Sequence, residues 1–146
     1  MLKRYTFWLS AAVLFQIITG AVHALSLFST SLPVNETERQ IIEMMTTYRW
    51  DAGAGFHPTF FNLFTAYSSC FTFLCLFAGL TNGYLLMKHT EPNVMRGIVA
   101  INVAIFGPVF VVLAVFGLPV PVFLSGLILV NLVAALFLVP KIESAI

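Results

Sequence analysis

Charge is what this chain has least of. Asp, Glu, Lys and Arg make up 9% of its 146 residues, where a soluble domain carries about 25%. So few charges cannot cover a chain that is 60% hydrophobic, and the covering must come from a bilayer. The net charge of +1 includes no basic patch and no acidic tail, which leaves nucleic acid out as a partner. Cysteine is scarce as well: the chain has 2, Cys70 and Cys75. Their C-x4-C spacing is not the C-x-x-C of a thiol redox site. Five helical residues turn through about 500°, which places the two on different faces, and both read as small buried apolar residues. No H-E-x-x-H is present, and nothing in the sequence calls for a metal or another cofactor. The most telling absence lies inside the apolar segments, where no Asp, Glu, Lys or Arg is far from an end. Ion pumps and proton-coupled transporters need such a group near the midplane. Ordinary proton-coupled transport by this chain alone is therefore not expected.

What is there is apolar length. Four stretches, Tyr5–Phe28, Phe60–Met87, Val94–Phe116 and Val122–Val139, each supply the roughly 20 residues that cross ~30 Å of hydrocarbon. The expected fold is all-α: a polytopic membrane protein, one domain over residues 1–146, built as a four-transmembrane-helix bundle. Val22-His23-Ala24 has the small-residue pattern of a signal-peptidase site after Lys3 and Arg4, but the apolar run is longer than a signal h-region, so the first span is expected to be retained. Lys3, Arg4, Lys88, Arg96 and Lys141 fall on one side of four spans, and Arg39 and Arg49 on the other. This places both termini and the loop His89–Asn93 in the cytoplasm, with Ser29–Pro58 and the turn Gly117–Pro121 outside. A plasma or bacterial inner membrane is expected. Short connections predict that spans two, three and four are antiparallel neighbours in up-down order. Gly107-Pro108 predicts a kink in span three.

The outer loop carries its own periodicity. Thr37 with Gln40 fits a capping box, and Ile41, Ile42, Met45 and Tyr48 recur at helical spacing. A short amphipathic helix is expected over Glu38–Trp50, lying on the outer interface or capping the bundle. Asp51-Ala52-Gly53-Ala54-Gly55 then reads as a turn. Asn35-Glu36-Thr37 matches the N-glycosylation pattern, a triplet that also occurs often by chance.

Neutral polar residues are patterned within the spans. Span two places Asn62, Thr65, Ser69, Thr72, Gly79 and Gly83 in a stripe, and span one places Gln16, Thr19, Gly20 and His23 on a face. Asn102 and Asn131 add one amide each. Gln16, Thr72 and Asn131 are expected near the midplane, with Asn102 about a turn toward the cytoplasm. Such groups commonly join membrane helices by close approach and hydrogen bonds. The sharper reading is a polar-lined cavity for a lipid headgroup, sterol or quinone, with Gln16, His23, Asn62, Ser69, Thr72, Asn102 and Asn131 as the ligand-binding candidates. His23 stands where span one meets the outer loop that holds Trp50, Asp51 and His57. An imidazole and a carboxylate together there would bind a metal or exchange protons, while an imidazole alone would anchor the loop.

The four spans and the outward His-bearing segment Ala21-Val22-His23-Ala24-Leu25 resemble small four-span bacterial membrane proteins of the DoxX-like kind. The chain departs from them in lacking a glycine-and-lysine signature in span one, so the resemblance implies no redox role. A second likeness is to the four-span sterol-isomerase-like fold. That family uses intramembrane His and Glu, and no span here offers a Glu.

The functional expectation is a non-catalytic accessory or scaffold subunit, surrounded by membrane lipids and packed against a membrane protein partner or another copy of itself. The alternative is a membrane-embedded binding protein or enzyme for an apolar small molecule. An accessory subunit should expose a small-residue helix face on the bundle exterior, whereas a ligand site should turn its polar stripes inward around a void.

Overall fold

The computed structural model describes residues 4–28 and 32–140. Lys3 and Lys141, two of the basic residues behind the expected orientation, lie outside the described residues, as do residues 29–31 of the loop expected to be external. Five helices follow one another: α1 (Tyr5–Ser26), α2 (Glu36–Thr47), α3 (Phe60–Met87), α4 (Pro92–Phe116) and α5 (Pro119–Leu138). All but α2 are long and apolar enough to cross a membrane, giving 4 spans. The protein is a multi-pass integral membrane protein with an all-α fold.

The ends of the helices follow from local chemistry. Thr59 and Asn62 form a reciprocal capping box at the start of α3, satisfying amides that the helix cannot pair itself. Proline occupies the first turn of both α4 and α5, where its missing N–H costs nothing. It lets α5 begin three residues before the expected start, leaving only Gly117 and Leu118 between α4 and α5. At the end of α3, His89 takes a left-handed φ of 51°. Thr90 returns its amide and its hydroxyl to the Leu85 carbonyl, at 3.2 and 2.9 Å. This αL turn closes the helix. α4 continues as helix through Pro108.

Packing order differs from chain order. α1 packs along both α3 and α5, and α5 packs along α4, whereas α3 and α4 share little surface. The bundle order is therefore α3–α1–α5–α4, rather than three consecutive spans packed in sequence. The short loop brings the ends of α3 and α4 together, but it does not hold their lengths in contact. Close approach decides instead. A Cβ on Gly20 would stand 2.8 Å from the Leu76 side chain, and one on Gly79 would stand 2.8 Å from Ile17 and 3.2 Å from the Cβ of Gln16. Such bare backbone lets membrane helices approach and gain dispersion where no hydrophobic effect drives them together. Leu9, Val99, Phe106, Ile128 and Leu132 fill the centre. At the far end of α5, Arg96 Nη1 donates to the Val139 carbonyl at 3.2 Å, joining the start of α4 to the end of α5.

Outside, α3 turns Phe73, Phe77 and Leu80 away from the bundle, 69%, 71% and 65% exposed, which marks the lipid face. Cys75 is buried as expected, but Cys70 is exposed, because five helical residues carry it about 140° around α3 from Cys75.

Candidate functional site

Polar side chains from three spans meet inside the bundle. Gln16 of α1 and Asn82 of α3 are both 0% exposed, and they converge with half-buried Asn102 of α4. Asn82 Nδ2 donates to Gln16 Oε1 and to Asn102 Oδ1, each at 3.1 Å. Asn102 Nδ2 donates back to Asn82 Oδ1 at 3.3 Å and to the carbonyl of Ile98, one turn earlier, at 2.9 Å. Gln16 Nε2 donates to Asn102 Oδ1 at 3.3 Å. The cluster tethers α3 to α4 across a seam that packing alone leaves open, and α1 supplies the third corner.

The register of α1 against α3 explains this membership. Gly20 lies against Leu76 and Gly79 against Gln16, so Gln16 is level with residues near 80 of α3 rather than with Thr72. The expected grouping of Gln16, Thr72 and Asn131 is not what forms. Thr72 Oγ1 returns to the carbonyl of Ser68 at 3.1 Å, Ser69 Oγ to that of Thr65 at 2.8 Å, and Asn131 Nδ2 to that of Leu127 at 2.7 Å. Each of these three bonds stays within its own helix. Asn62 serves the cap of α3 and is exposed. Asn82 was missing from the expected set, although Thr72, Cys75, Gly79 and Asn82 recur at helical steps of three and four and are all buried.

The outer candidates do not assemble into one site. His23 is half-buried and meets the edge of Phe71 with ring centroids 5.1 Å apart at 87°. Trp50 stacks on Phe60 at 6.3 Å, with Tyr48 stacked on the same ring at 6.5 Å. The Trp50 indole nitrogen is buried without a protein partner. Asp51 accepts from the Gly53 amide at 2.8 Å, closing an Asx turn. His57 is exposed, and its carbonyl accepts from Arg49 Nη1 at 3.1 Å. No hydrogen bond or ring contact links His23 to Trp50, Asp51 or His57. Among the described residues, no three of His, Cys, Asp and Glu cluster as a metal site would require.

α2 begins earlier than expected because Asn35, not Thr37, is its cap. Asn35 Oδ1 accepts from the Glu38 amide at 2.9 Å, and the Glu38 carboxylate accepts from the amide of Val34. The helix ends at Thr47, short of Trp50, because Tyr48 turns extended. Arg39 donates to both carboxylate oxygens of Glu36, at 2.9 and 2.6 Å, and holds Glu36 below the usual carboxylate range. None of the α2 residues is buried. Ile41 and Met44 stay exposed, and among the described residues α2 packs against α3 alone of the helices.

Two concavities are open grooves on the outside of the bundle. One, of about 370 Å³, runs between α1 and α3 beside Ser10, Val13 and Gly83. The other, of about 490 Å³, lies at the loop before α3, beside Phe56, Pro58 and Leu63. The interior amides line neither of them. No protein-family model, curated protein or solved structure matches this chain.

Proposed function

We propose that the protein is a small non-catalytic membrane subunit that packs laterally, through α4, against another membrane protein or a second copy of itself. The observation that carries this reading is the exterior face of α4. Gly97, Ala100, Ala104 and Gly107 recur at steps of three and four. The first three are exposed, and nothing lies within 4 Å of a Cβ built on Gly97 or Gly107. Faces of this kind let a second helix come close in lipid. α4 is also the least covered span: 17% of its most apolar window is buried, against 28% in each of the other three. Most of the inward polar groups support the same reading, because Gln16, Asn82 and Asn102 are bonded to one another and Thr72, Ser125 and Asn131 to their own helices. In this view the basic residues keep both termini in the cytoplasm and α2 outside.

The test is lateral association. Leucine at both Ala100 and Ala104 would meet only lipid in the isolated bundle, so folding should survive. Native purification in mild detergent followed by mass spectrometry should show a partner or a dimer with the parent chain and its loss with A100L/A104L. A parent that is monomeric and partner-free, or a variant that keeps its partner, would overturn the proposal.

A further inference from the structure

The interior amides satisfy most of their hydrogen-bonding capacity, and the remainder points in one direction. A primary amide has two N–H donors and two lone pairs on oxygen. Asn82 Nδ2 has two acceptors, Gln16 Oε1 and Asn102 Oδ1. Asn102 Nδ2 also has two, Asn82 Oδ1 and the Ile98 carbonyl. Gln16 Nε2 has one, Asn102 Oδ1. One N–H of Gln16 is therefore left over, and Gln16 Oε1 has accepted only once.

One turn away on the same inward face stands Thr19. It is 3% exposed, and its Oγ1 is shielded from solvent without a protein partner. Other hydroxyls of the bundle behave differently: Ser69, Thr72 and Ser125 each turn back onto a carbonyl of their own helix. The Thr19 hydroxyl makes no such bond. Leaving a hydroxyl dry in an apolar medium is costly, and buried polar groups as a rule have partners. Residues three apart on a helix are neighbours, about 5–6 Å between Cβ atoms, a separation that one small molecule can bridge.

We propose that Gln16 and Thr19 hold one buried water molecule, which extends the Gln16–Asn82–Asn102 cluster toward the outer half of the bundle. Water is the ligand class that fits. It donates and accepts at once, and it needs two to four polar partners. Gln16 Nε2–H donates to it, and the Thr19 hydroxyl and Gln16 Oε1 complete its contacts. This site is independent of the docking face on α4, which lies on the exterior.

The experiment compares Thr19→Val, which keeps shape and removes the hydroxyl, with Thr19→Ser, which keeps the hydroxyl. Reversible unfolding in mixed detergent micelles supplies the stability readout. Solid-state NMR of the parent in bilayers supplies the second, as a cross-peak between water and the Thr19 side chain. A bound water predicts an unfolding equilibrium shifted about tenfold toward the unfolded state in Thr19→Val, smaller loss in Thr19→Ser, and the water cross-peak. Thr19→Val as stable as the parent, or more so, would mean that the hydroxyl is dry or folds back onto the Phe15 carbonyl, and the site would be refuted. If Thr19→Val does not fold, the parent spectrum decides, and a Thr19 without a water cross-peak overturns the proposal.

Discussion

Replacing Asn82 with leucine isolates what the amide cluster contributes. The substitution conserves volume approximately while removing three hydrogen bonds, two donated by Asn82 Nδ2 and one accepted by its Oδ1. Hydrogen bonds between membrane helices average ~0.6 kcal/mol each, so the direct loss is about 1.8 kcal/mol. Gln16 and Asn102 keep their mutual bond, which limits any added penalty from stranded groups. An effect of about 2 kcal/mol shifts the unfolding equilibrium some twentyfold or more. Asn131→Leu is the internal control. Asn131 is buried like Asn82, but its amide bonds only to its own Leu127 carbonyl, so its loss should cost less than about 1 kcal/mol. Reversible unfolding in mixed micelles measures both. A double-mutant cycle with Gln16→Leu should give clear non-additivity for Asn82 and additivity for Asn131. Equal stability of N82L and N131L, with no coupling to Gln16, would refute the view that the cluster holds α3 to α4.

Gly79→Leu should lower stability by about 1–3 kcal/mol through overpacking, since even a Cβ there stands 2.8 Å from Ile17. Gly83→Ala should be tolerated in the same unfolding assay, because its Cβ meets Val13 at an ordinary 3.4 Å. The Arg39 hydrogen bonds depress the pKa of Glu36 below its usual 4.5, so they stabilise the fold above that value and are lost as pH falls through the depressed pKa. NMR titration should therefore show the Glu36 midpoint rising in Arg39→Gln, and an unchanged midpoint would remove Arg39 as the cause. Single cysteines at Glu43 and Lys88, in a chain without Cys70 and Cys75, test the orientation. An impermeant maleimide added to intact cells should label position 43 and spare 88, and the opposite pattern would invert the topology.

Composition and length alone were enough for the spans. Apolar runs of this length admit one solvent and one backbone solution, because unpaired peptide groups cannot sit in hydrocarbon. Three of the four starts and ends agree with the helices to within a few residues, and Pro119 extended the fourth by serving as a first-turn proline. Helical arithmetic put Cys70 and Cys75 on different faces, but both were expected to be buried and only Cys75 is. Which face of each span turns inward was a different matter. Of the expected polar stripe, Thr72 and Gly79 are buried, but Asn62, Ser69 and Gly83 lie roughly 110° around α3 from the buried line through Ser68, Cys75 and Asn82. A span is apolar on every side, so hydrophobic periodicity cannot orient it as it orients a surface helix. That choice rested on contacts between distant segments: Gly20 against Leu76, and Gly79 against Ile17 and Gln16. These set the register that carries Gln16 to Asn82 and Asn102 while leaving Thr72 and Asn131 to their own helices. His23, likewise, had a readable depth but not a readable partner, and tertiary packing gave it the edge of Phe71 instead of the loop residues Asp51 and His57. The solvent and the number of crossings are properties of single segments, so the sequence determined them. The meeting of side chains depends on shape complementarity between segments far apart in the chain, and only the tertiary structure decided it.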